Sequence, residues 1–137
     1  MKTTTTVLQM WVRAVGAMMI VLGLLIWTVG LYQIVPVHML LGITIVLALW
    51  TLVALGAVAR VHPGLVALGF AWGLIVPILG VTQTQLLPGS GHWVIRVLHL
   101  LVGLGAIGLA ETLAQRIKRG RSMDLTARSA STVGEAM

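Results

Sequence analysis

The chain has no cysteine, only three acidic residues, and 9% charged residues in all. Without cysteine there are no disulfides, no thiolate metal sites and no CxxC redox chemistry. The shortage of charge is equally restrictive. A soluble domain carries about 25% charged residues, so this chain has too little polar surface to cover itself in water. Glu111, Asp124 and Glu135 all lie toward the C-terminal end. No Ser–His–acid set and no pair of carboxylates falls within an apolar stretch, which leaves no residue to nominate as catalytic. A proton-coupled exporter of the small multidrug type would want an acidic residue near mid-membrane, and the first three apolar stretches have none.

What the chain has instead is apolar length. Hydrophobic residues make up 58% of the 137 residues. They concentrate in four stretches at about 9–31, 37–59, 65–81 and 92–114, each near or above the roughly 20 residues that span ~30 Å of hydrocarbon. The fold class predicted is all-α, an integral membrane four-helix bundle over 9–118. A polar lead (1–8) precedes it, and a disordered basic Ser/Thr/Ala-rich tail (119–137) follows. The first stretch is basic at its N-terminal flank, but it exceeds a signal peptide's 7–15-residue apolar region and no A-x-A site follows, so it reads as an uncleaved helix. Tyr32, Gln33 and Pro36 mark the first break, and Arg60, His62, Pro63 and Gly64 the second. Pro88, Gly89, Ser90 and Gly91 lie in a longer third. Proline and glycine just beyond an apolar run are stop signals.

The net charge of +6 is distributed as a topology signal, so nucleic acid is not an expected partner. Lys2, Arg13, Arg60, Arg116, Lys118, Arg119, Arg121 and Arg128 all fall on one side of this topology, and only Arg96 lies toward the other. The positive-inside rule then puts both termini in the cytoplasm, with the bundle in the plasma (inner) membrane. Gly16, Gly23 and Gly30 recur every seven residues, Gly69 and Gly73 form a GxxxG, and Gly80 follows. Small residues at these spacings let membrane helices approach closely. They serve packing within one bundle or, alternatively, a homo-oligomer face.

The two halves echo each other. Gly30, Gln33, Pro36, His38 and Gly42 in the first are matched by Gly80, Gln83 or Gln85, Pro88, His99 and Gly103 in the second, with a longer second loop. Both hairpins run out and back in the same sense. A duplication of this kind gives tandem helical hairpins about an axis along the membrane normal, with equivalent residues facing each other at one depth.

Ionisable groups inside a bilayer are costly and are functional candidates. His92, Arg96, His99 and Gly103 stand at i, i+4, i+7 and i+11, one stripe of a helix, and His38 with Gly42 makes a shorter stripe. Neutral imidazole is a good axial ligand for haem iron, and a glycine one turn on leaves room for a porphyrin to approach the backbone. Arg96 has no evident carboxylate partner and wants an anion: a haem propionate, a quinone oxygen or a lipid phosphate. The plainer reading is that His38, His92 and Arg96 sit at the outer interface, where such residues are tolerated and arginine snorkels. From the cytoplasmic helix ends, His38 lies about 33 Å up, His99 about 26 Å and His92 about 36 Å. Thus His38 could face His99 or His92, and the repeat and the glycines favour His99. Zinc on His92 and His99 lacks a third ligand. His62 reads as a loop residue, and Glu111 as neutralised by Arg116 or Lys118.

Four short membrane helices, histidines near the outer ends of two of them and a glycine four residues after each resemble the small b-type membrane cytochromes of the cytochrome b561 kind. The resemblance rests on His38, Gly42, His99 and Gly103, with Arg96 as a possible propionate partner. It implies haem b held by His38 and His99, and electron exchange with a quinol or a redox partner at the outer leaflet. Members commonly hold two haems. A second histidine pair toward the cytoplasm is missing, so at most one haem is implied. The competing expectations are a cofactor-free accessory subunit of a larger membrane complex, and a small carrier that uses Arg96 to bind an anionic or quinone-like ligand.

Overall fold

The computed structural model describes residues 2–135 and is an all-α four-helix bundle. Helix α1 spans Lys2–Val29, α2 Val35–Val58, α3 Pro63–Thr82 and α4 His92–Glu135. Short 3-10 turns at Tyr32–Ile34 and Gln83–Gln85 mark the two connections at one end, called the far side here. The start of α1, the α2–α3 turn and the end of α4 lie at the opposite, termini side.

The breaks fall where the backbone demands them. Gly30, at φ +75°, stops α1 in a conformation that costs glycine little. Pro36 and Pro63 sit in the first turns of α2 and α3, where a missing N–H is no loss. At the end of α2 the Val61 N–H donates to the Gly56 carbonyl and the Arg60 N–H to that of Ala57. This is a Schellman closure whose left-handed position is held by Arg60, at φ 54°, rather than by glycine.

Two boundaries differ from expectation. The polar lead is helical from Lys2: Thr5 within it is buried, and Gln9 just after it bonds across to α4. Helix α4 passes Ala114 and runs to Glu135, where the sequence predicts a disordered tail from 119. The stretch has no proline to stop a helix and many good helix formers among its Arg, Lys, Gln, Leu and Ala residues. Residues 136–137 of that tail lie outside the described residues.

Helices α2 and α4 form the central pair. Each of α1 and α3 packs on both, while α1 and α3 do not touch. Glycines permit the closest approaches. A Cβ at Gly16 would lie 2.7 Å from Ile107 Cδ1, and one at Gly73 would collide with the Trp50 indole. With Gly69 against Val53 and Leu113, the GxxxG of α3 is spent within the bundle. Several polar side chains are satisfied inside the bundle, as a bilayer requires. Trp50 and Trp72 donate Nε1–H to the carbonyls of Phe70 and Val102, and Thr28, Thr51, Thr82 and Thr112 each donate to a carbonyl four residues back.

The core is lopsided. Val12, Leu49, Leu52, Leu113 and Ile117 are fully buried in the termini-side half. In the far half, α1 has no buried residue after Gly16, α3 none after Gly73 and α2 none before Ile45. Helix α4 has only Ile95 and Val102 there before Ala106. Outward, Leu40, Ile78 and Leu101 are each more than half exposed. All four helices are long and apolar enough to cross a membrane, and the chain is an integral membrane protein with that surface toward lipid.

Candidate functional site

At about 1.5 Å per residue, His38 lies roughly 5 Å below the start of α2 and His99 roughly 10 Å below the start of α4. The two helices run parallel, so both imidazoles enter the sparsely packed far half from the same end. Their ring centres are 6.2 Å apart with planes tilted by 44°. In each ring Nδ1 is sealed from solvent and has no hydrogen-bond partner. A buried polar atom without a partner costs about 1–3 kcal/mol, and two in neighbouring rings call for a reason.

The outer helices back the pair symmetrically. A Cβ at Gly23 of α1 would lie 3.4 Å from His38 Cε1, and one at Gly80 of α3 would lie 3.6 Å from His99 Cε1. Each helix thus supplies one residue, glycine behind histidine in each hairpin. This refines the internal repeat. Gly80 has its functional counterpart in Gly23, whereas Gly30 is spent on ending α1. Alanine at Gly23 fits at ordinary contact distance, but leucine must displace the imidazole. We expect Gly23→Ala to leave ligand binding at His38 nearly unchanged and Gly23→Leu to lose most of it, measured as haem content of the purified protein.

Compared with known proteins, the chain matches no family model, no curated protein and no solved structure. The geometry therefore carries the reading. A metal between two imidazoles, at metal–nitrogen distances of about 2.0–2.1 Å and ~1.1 Å from each nitrogen to its ring centre, holds the centres roughly 6.2–6.4 Å apart. The observed 6.2 Å would match that spacing if the two ligating nitrogens lay on the line between the ring centres. A metal bound at Nδ1 would give each sealed nitrogen the partner it lacks.

The remaining candidates divide. Arg96 stands one turn before His99, is half-buried, and makes no hydrogen bond or ion pair among the described residues. A Cβ at Gly103 meets no atom within 4 Å, so space is open there. Gly42 does not clear space in the same way, because Met19 of α1 fills it, with Cε 3.3 Å from a built Cβ. His92 is not brought to His38. Its Nδ1 lies 3.2 Å from the Leu86 carbonyl and holds the far loop against α4. His62 caps α3 through Nδ1, which accepts from the Gly64 N–H.

A second polar cluster lies about 18 Å deeper along α4 than His99. Glu111 is held by Arg13 in a two-pronged pair, Nε to Oε1 at 2.6 Å and Nη2 to Oε2 at 2.9 Å. Gln9 also donates to Oε2, and Lys118 donates to Gln9 Oε1. The expectation that Arg116 or Lys118 neutralises Glu111 is refined: Arg13 pairs with it directly, and Lys118, bonded to Gln9, adds its charge nearby. The cluster pins α1 to α4 and accounts for the one carboxylate in the bundle. Its signal in the sequence was Arg13 itself, a guanidinium well inside an apolar helix.

Proposed function

We propose that the chain binds one haem b between His38 and His99 and exchanges electrons with a quinol or redox partner on the far side of the membrane. The observation that carries this reading is the facing histidine pair, 6.2 Å apart, with both Nδ1 atoms sealed and unpartnered. When bound, haem b supplies a one-electron carrier whose potential follows from its axial ligands and burial. The chain's own residues have separate tasks. His38 and His99 ligate through neutral imidazole. Gly23 and Gly80 set ring position from behind. Arg96, without an anionic partner among the described residues, meets a propionate carboxylate, and Gly103 leaves space beside the backbone. The lysine and arginine distribution supports cytoplasmic termini in a plasma (inner) membrane, so the pair belongs to the outer leaflet. With His62 and His92 engaged elsewhere, one haem on one side is proposed, not a relay across the membrane.

A second reading, an accessory subunit of a larger membrane complex, draws on α3. Its only buried residues are Gly69 and Gly73, which leaves its far half free for a neighbour. An absorption spectrum separates the two. Protein purified from haem-replete cells is expected to show a Soret band that sharpens and shifts on dithionite reduction, with one haem per chain. Colourless protein would exclude the haem reading and leave the subunit reading standing.

A further inference from the structure

At the termini side, an apolar groove of about 490 Å³ opens between α2 and α3, lined by Val53, Ala57, Val61, Val66, Ala67 and Phe70. Arg60 lies in the turn between two of these lining positions, Ala57 and Val61, and is exposed. Its only candidate carboxylate among side chains that are described, Glu111, is taken by Arg13. Backbone geometry does not ask for arginine here. The residue occupies a left-handed φ of 54° at a helix closure, where glycine is the unstrained choice. Arg60 stands just beyond the apolar span Tyr32–Val58, at the boundary a membrane of that span would have. Gly56 packs on Leu113, and Arg60 is four residues beyond Gly56, so it stands about 6 Å further out. An unpaired cation at the rim of an apolar groove that opens toward lipid matches a molecule with an anionic head and a hydrocarbon tail. A partner helix, about 10–12 Å across with its side chains, would not seat in so small a groove.

We propose that this groove holds one acyl chain of an anionic phospholipid whose phosphate is met by Arg60. The site is independent of the histidine pair. It is tested by native mass spectrometry of the full chain released from vesicles of equal phosphatidylglycerol and phosphatidylcholine content. The wild type is expected to retain phosphatidylglycerol about fivefold over phosphatidylcholine. Arg60→Gly should bring that ratio close to one while leaving the thermal midpoint equal or higher, because glycine accepts the φ, so lost binding cannot be lost folding. Ala67→Phe, which fills the groove, should remove one tightly held lipid of either kind. The double variant Arg116→Gln/Arg119→Gln, exposed cations on the same side, should keep the preference. The proposal is overturned if Arg60→Gly retains the preference, if Ala67→Phe retains the lipid, or if the double variant alone abolishes the preference.

Discussion

Alanine in place of His38 or His99 is expected to remove the haem absorbance of the purified protein altogether, while leaving a folded bundle. In the proposed haem site each histidine supplies half of the axial set, and the other two histidines are engaged elsewhere. His92 is held on the Leu86 carbonyl and His62 caps α3. Neither change should unfold the protein, because neither ring has a hydrogen-bond partner at Nδ1 to lose. Alanine instead removes a buried nitrogen that costs about 1–3 kcal/mol when unsatisfied. His92→Ala should keep the full spectrum, which makes it the matched control. Arg96→Gln should bind haem about tenfold more weakly, the scale of a lost outer contact, without changing the ligands. Spectra of the four variants, purified side by side, check this. Colour that persists in both His38→Ala and His99→Ala would mean that the ligands are elsewhere.

The second large effect falls on stability and on the opposite half of the bundle. Leu113 is fully buried, with Gly56 and Gly69 against its methyl groups. Leu113→Ala removes contacts that these glycines cannot refill, and about 2–5 kcal/mol of stability should go with them. Leu101 lies on the same helix but is 57% exposed, and Leu101→Ala should stay within about 0.5 kcal/mol of the wild type. Reversible unfolding in detergent micelles gives both numbers. Equal losses at the two positions would contradict a core concentrated at the termini side.

The architecture was legible because its causes are local. Apolar runs of membrane length, with Pro36, Pro63 and Gly30 at their breaks, place four helices without reference to any contact between them. Their ends were less legible where the cause is distant. Nothing near Thr5 or Gln9 shows that α1 begins at Lys2, since the partner Glu111 is 102 residues away from Gln9. The Arg13–Glu111 pair was missed for the same reason, its members being 98 positions apart. The histidine pair was the exception among long-range contacts. Depth left His38 to face His92 or His99, and the repeat with its following glycines favoured His99. What spacing does not give is the helix rotation. Gly42 and Gly103 look equivalent in sequence, yet Met19 fills the space at the first and nothing fills it at the second. Gly23 looked like one of three packing glycines, and only the rotation of α1 shows it behind His38.

Low-temperature electron paramagnetic resonance of the oxidised, haem-replete protein tests the histidine pair most directly, because the ferric spin state reports how many strong axial ligands the iron has. Two imidazoles, one from α2 and one from α4, predict a low-spin spectrum that turns high-spin or vanishes in His38→Ala and in His99→Ala. A wild-type spectrum that is high-spin, or that shows no haem iron at all, would contradict it.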